Sequence, residues 1–214
     1  HLLGMDSDRL ASAMICGIQA HELRLPGDHW LIEPSPNLMF MRDPAIAVND
    51  QMIFSSMKYD IRKRERDLIE FVLRQLPLTG LSNIHAVNQN DPECTIEGGD
   101  ILVISPQAIA IGKSERTSSK AIDWVAHKLL NESGVSRIYE VSIPKLRSFM
   151  HLDTVFSIID RDLGIAYRGA FHSPASSVRL ITKCNTTTDR RPFYEIVADE
   201  LPGFKCIFTA GTED

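Results

Sequence analysis

The sequence predicts an α/β protein assembled from repeated units, and three observations carry that reading. Short apolar runs bounded by turn residues alternate with stretches of helical periodicity along most of the chain. The order within each unit recurs: an acidic residue, a tight hairpin, a helix, a strand. The leading aspartates Asp43, Asp100 and Asp153 stand 57 and 53 residues apart. A period of that size signals supersecondary units that are stacked or set around an axis.

Composition sets the outer bounds. The 214 residues are 43% hydrophobic and 24% charged, ordinary for a globular protein that buries a core as one large domain or two small ones. A net charge of −5 and a pI near 5.8 argue against nucleic acid or an anionic membrane as the main partner. No apolar run reaches the length of a membrane span, and no secretory pattern opens the chain. Cys16, Cys94, Cys184 and Cys206 are scattered with no CxxC pair, which reads as reduced thiols in a cytoplasmic protein. A start at His1 reads as an internal piece of a longer chain.

Each element has its own signal. Asp6 or Ser7 caps a helix expected to run to Leu23, with Leu10, Met14, Ile15 and Ile18 at helical spacing and Pro26-Gly27 breaking it. Short strands follow from Trp30. Ala45–Val48 and Met52–Phe54 form a hairpin across Asn49-Asp50-Gln51. The basic stretch Arg62-Lys-Arg-Glu-Arg66 opens a helix, with Leu68, Phe71, Val72 and Leu76 at helical intervals and Pro77 as its stop. Such a charged turn reads as a solvated face.

The second unit has Ile101–Ser105 and Ala108–Gly112 as its hairpin, a helix from Ser118 to Ser133 with Gly134 as stop, and a strand from Arg137 to Val141. In the third, Thr154–Ile159 and Leu163–Tyr167 pair across Asp160-Arg161-Asp162. An irregular Ser/Thr-rich passage then leads to a helix from Pro192 to Leu201 and a last strand, Phe204–Phe208.

Between Glu97 and Asp100 two glycines permit sharp turning and close approach, so both carboxylates can be aimed into one space. If the units share an axis, Asp43, Glu97, Asp100, His151 and Asp153 converge on one cavity. Carboxylates gathered in a partly dry pocket need a cation. A metal ion would accept their oxygens and the His151 imidazole; a guanidinium would accept bidentate bonds from Asp43 and Asp153. Arg62 follows Asp43 by the same interval at which Arg116 follows Glu97. Beside a cationic ligand, two arginines fit a molecule with an anionic far end, and arginine itself has both. His151, expected on a strand with its side chain on the Asp153 face, suits proton transfer with Glu97 holding its imidazolium.

Four motifs in order, Pro36-Asn37-Leu-Met-Phe40-Met-Arg42-Asp43-Pro44, Ile96-Glu97-Gly-Gly-Asp100, Ser114-Glu115-Arg116-Thr117 and Met150-His151-Leu-Asp153-Thr154, resemble arginine deiminase from about Leu31 onward. The resemblance implies a pentein-type α/β propeller, of which about three of five modules are expected here, as residues 28–214. Residues 1–27 look like the end of a helical insertion. It also implies hydrolysis of L-arginine to citrulline and ammonia through a cysteine thiolate, with no cofactor and no metal. On the matching positions, His151 is the general acid and base with Glu97 as support. Asp43 and Asp153 grip the guanidinium, Asp100 completes the acidic wall, and Asn37, Arg62 and Arg116 bind the α-carboxylate beside Phe40.

None of the four cysteines stands in the family's nucleophile context, so that residue is expected beyond Asp214 and this span is expected to be inactive alone. An unclosed propeller exposes strand edges, which predicts homo-oligomers or domain swapping. Three other readings stay open: a related hydrolase acting on agmatine or dimethylarginine, a metal-dependent hydrolase built on His151, Asp153, Glu97 and Asp100, and a non-catalytic guanidino-binding protein.

Overall fold

The protein is represented by a computed structural model that describes residues 4–77, 80–174 and 176–209. Helix α1 (Ser7–Cys16) is capped by Asp6, whose carboxylate accepts from the Arg9 amide. The expected run to Leu23 is cut short at Gly17, which turns at φ 83° and sends its N–H to the Ala13 carbonyl. A side chain there would lie 2.6 Å from the Ile32 carbonyl, so the stop also makes room for pairing. Strand β1 (Ile18–Gln19) runs antiparallel to β2 (Trp30–Ile32), across the Pro26-Gly27 break.

Three units then repeat one topology. In the first, β3 (Ala45–Val48) and β4 (Gln51–Phe54) form a hairpin, α2 (Asp60–Gln75) crosses over, and β5 (Asn83–Ala86) returns parallel to β4. The turn is two residues, not three, because Asn49 takes a left-handed φ of 52° that asparagine tolerates. The second unit is β6 (Ile101–Ser105), β7 (Ala108–Lys113), α3 (Ser119–Glu132, capped by Ser118) and β8 (Arg137–Ser142), with β8 parallel to β7.

The third unit is β9 (Phe156–Asp160) and β10 (Leu163–Ala166), then the short α4 (Arg168–Phe171). After these come β11 (Ser177–Ile181), β12 (Thr186–Asp189), α5 (Phe193–Glu200) and β13 (Lys205–Phe208), the last parallel to β10. The Ser/Thr-rich passage is therefore a second hairpin, whose β11 pairs antiparallel with β8 and widens the middle sheet to five strands. Its outer strand is exposed and polar, so it lacks the apolar alternation that marks a half-buried strand.

Two apolar clusters hold the sheets. Ile109, Ile111, Ile138 and Ile53 pack with Ile122, Val125 and Leu129 of α3. Phe156, Phe171, Phe193 and Phe204 gather under α5, each buried ring stabilising the fold by roughly 1.5–3 kcal/mol. Helix α2 inverts expectation. Its charged side is turned inward, burying Arg62, Glu65 and Arg66, while Phe71 is 67% exposed. Buried charges survive there because each is paired: Arg62 with Asp43 and Glu65, and Arg66 with Glu70 and the Ser55 carbonyl. Among the described residues no helix is long and apolar enough to cross a membrane.

Candidate active site

Each unit's first strand is preceded by a segment bearing site residues: Asp43 before β3, a 3-10 turn at Gly98–Asp100 before β6, and another at Leu152–Thr154 before β9. The two glycines work through space. Neither takes a positive φ, but a side chain at Gly98 would lie 2.0 Å from the Arg42 carbonyl, and one at Gly99 2.5 Å from His151 Nδ1. Their absence of bulk lets three segments meet. His151 precedes a 3-10 turn rather than lying in a strand, so its nearness to Asp153 comes from that turn.

At the centre, His151 Nε2 lies 2.8 Å from Glu97 Oε2 and Nδ1 lies 3.8 Å from Asp43 Oδ1. Glu97 has no solvent exposure. Its Oε1 accepts from the Lys58 amide at 3.0 Å and its Oε2 also meets Arg116 Nη1 at 3.2 Å. Burial works to raise the Glu97 pKa, but the His151 bond, the Lys58 amide and the Arg116 charge overcome it and hold the carboxyl below its usual range. Burial likewise opposes the His151 imidazolium; the Glu97 bond and the charges of Asp100, Asp43 and Glu97 leave its pKa raised.

The shared interval of 19 residues has a structural meaning: Arg62 Nη1 binds Asp43 Oδ2 at 2.6 Å, and Arg116 binds Glu97. Each arginine pairs with the acid of its own unit. Arg62 is fully engaged, with Nε on Glu65 at 2.9 Å and Nη2 near the carbonyls of Asn37 and Phe40. Glu65 also accepts from the Asn37 amide at 2.7 Å. Arg116 lies over the Tyr59 ring at 4.4 Å, and its buried Nε has no hydrogen-bond partner among the described residues.

A cleft of about 840 Å³ opens above this cluster. Asn37, Phe40, Asp43, Arg62, Arg116, His151 and Asp153 all line it. Glu97 and Asp100 lie beneath it. Asp100, expected in the acidic wall, is wholly buried and spends its oxygens on Ser114, Thr117 and the Leu152 amide. Sequence reading missed Arg42, whose Nε lies 3.6 Å from Asp153, and the rim residues Tyr59, Glu115 and Arg147. It also missed Glu65, signalled only by its place three residues after Arg62 on a helix.

Asp43, Glu97 and His151 offer donor atoms within 4.8 Å of one another, a set that differs from the expected metal cluster by including Asp43. Two of the three carboxylate and imidazole groups already hold arginines, so a metal ion would have to displace charges the protein supplies. No cysteine among the described residues lines the cleft: Cys94 is buried in the core behind Ile96, and Cys16 and Cys184 are exposed elsewhere.

Comparison with known proteins gives the chain's lineage. Residues 4–211 match the profile of the family described as arginine deiminase. The arginine deiminase of Bacillus cereus is 34% identical over 174 residues, covering 76% of this chain and 42% of that protein. That of Oenococcus oeni is 32% identical over 172 residues, 75% of this chain and 42% of its own length. The chain thus spans less than half the length of these curated relatives. Among solved structures, the product-bound N-terminal domain of ArgZ, a cyanobacterial arginine dihydrolase, superposes with a TM-score of 0.60 at 16% identity, over 83% of this chain and 55% of that one. DDAH from Pseudomonas aeruginosa, complexed with citrulline, gives 0.51 at 18% identity, over 83% and 72%. The structural likenesses carry the mixed α/β fold, and the match across 4–211 carries the lineage: this chain belongs to the arginine deiminase family.

Proposed function

We propose that this chain supplies the guanidinium-gripping and proton-transfer part of an arginine deiminase site, which hydrolyses L-arginine to L-citrulline and ammonia. The observation that carries the reading is the His151–Glu97 pair at 2.8 Å beneath a cleft walled by Asp43 and Asp153. The guanidinium lies between the two aspartates. A cysteine thiolate attacks its central carbon, forming a C–S bond, and ammonia leaves with a proton from the His151 imidazolium. The same imidazole then takes a proton from water, which displaces the thiolate and yields citrulline. Glu97 holds the imidazolium in place.

Asn37 and Arg116 meet the α-carboxylate, with Phe40 along the aliphatic stem. Arg62 reaches that carboxylate only by giving up bonds to Asp43 and Glu65, so its part is to hold Asp43. The thiolate comes from outside these 214 residues, since none of the four cysteines lines the cleft. The three units are three modules of a pentein-type propeller spanning 28–214, residues 1–27 end a helical insertion, and the chain acts in the cytoplasm as a homo-oligomer.

The test compares L-arginine, agmatine and dimethylarginine as substrates of the whole protein, reading citrulline and ammonia. Preference for arginine supports the proposal, and equal turnover of agmatine removes the role given to Arg116. The donor atoms of Asp43, Glu97 and His151 within 4.8 Å favour metal-dependent hydrolysis as the second reading. Loss of activity to a chelator would establish that reading instead.

A further inference from the structure

The His151–Glu97 pair is held by groups that do not reach the cleft. Asp100 Oδ2 accepts from the hydroxyls of Ser114 and Thr117, both at 2.6 Å, and its Oδ1 accepts from the Leu152 amide at 2.8 Å. Thr117 Oγ1 in turn accepts from the Glu97 amide at 3.3 Å. Ser114 Oγ accepts from the amides of Arg116 and Thr117, at 3.0 and 3.2 Å. One buried carboxylate therefore ties together the segments that carry Glu97, Arg116 and the His151–Asp153 pair.

The chemistry of these partners is matched to the task. Leu152 stands between His151 and Asp153, so one bond to its amide sets the direction of both neighbours. The Thr117 hydroxyl has one proton to give and lone pairs to receive; it gives to Asp100 and receives from Glu97. Contact is close throughout: a side chain at Gly112 would lie 2.3 Å from Asp100 Oδ1 and 2.8 Å from Leu152 Cβ. Glycine on β7 is what lets the carboxylate reach the Leu152 peptide.

We propose that Asp100, with Ser114 and Thr117, is a positioning residue for the reaction, aiming His151 and Asp153 through the Leu152 amide and Glu97 through Thr117 without touching substrate. What is positioned rests on the proposed function; the tie itself does not, and it is measured without substrate.

The experiment uses the purified chain and NMR. In Thr117→Val, read above the Asp100 pKa, which burial pushes up to about 7, the Leu152 amide exchanges with solvent roughly tenfold to a hundredfold faster, the range a bond to an ionised carboxylate corresponds to. The ring N–H proton that His151 shares with Glu97 broadens. Thr117→Ser restores both signals, which a purely volumetric role for Thr117 does not explain. Ser114→Ala, which removes the other hydroxyl from the same oxygen, accelerates Leu152 exchange as well and serves as the reading if Thr117→Val does not fold. Unchanged Leu152 exchange in either folded variant overturns the proposal. Absence of arginine turnover by the whole protein would instead overturn the functional reading and leave these signals as they are.

Discussion

Asp43 and Asp153 face the same cleft beside His151, yet the protein holds them differently. Asp43 is buried, bound to Arg62 at 2.6 Å and to the Gly99 amide at 3.2 Å, and Arg62 is itself clamped by Glu65. Among the described residues the Asp153 carboxylate has only a 3.6 Å contact with Arg42, whose side chain is half exposed. Burial raises the Asp153 pKa, against the charges of Arg42 and His151. The Asp43 side is thus balanced from within, while the Asp153 side is left short of cation. Under the proposed function, an incoming guanidinium would have most to offer at Asp153, with Asp43 as a fixed edge against which it is aligned.

The contrast can be broken most forcefully at Asp43. Asp43→Ala leaves Arg62 buried without its strongest partner, and urea unfolding should show a loss of roughly 3–5 kcal/mol; a loss below about 1 kcal/mol would mean that the pair is not built in as described. Gly99→Ala forces a methyl group against the His151 ring and should cost about 1–3 kcal/mol in the same assay, with the ring signals of His151 displaced. Asp153→Asn is expected to change stability by no more than about 1 kcal/mol. Binding of L-arginine to the chain, followed by NMR, should nonetheless weaken roughly tenfold or more through loss of a charge-assisted bond. Large destabilisation by Asp153→Asn would erase the distinction between the two carboxylates.

The sequence made the repeat legible because hairpins, helices and caps are local: Ser118 caps α3, and alternating apolar residues mark β6 and β7. The hairpin of β11 and β12 was not legible, since four polar residues pair there for the sake of the backbone alone. The convergence of Asp43, Glu97, His151 and Asp153 followed from spacing and from motif resemblance. Their division of labour did not. Whether an arginine faces a ligand or an internal acid depends on side-chain direction, and Arg62 lies on the inward face of a helix that leaves Ile61, Phe71 and Val72 exposed. By type and place in the sequence Asp100 resembles its neighbours in the cleft wall. Only the Ser114 and Thr117 hydroxyls, at fixed distances in space, reveal that it is occupied.

The central claim, that Glu97 holds His151 as an imidazolium ready to donate a proton, is tested most directly by an NMR pH titration of His151 in this chain. A raised pKa means that the folded state binds the proton more tightly than the unfolded chain. The stability it adds is full below about pH 6.5 and is lost as the pH rises through the folded midpoint. The account predicts a midpoint above about 6.5 that falls in Glu97→Gln. A midpoint at or below that value in the unmodified chain, or one indifferent to Glu97, would contradict it.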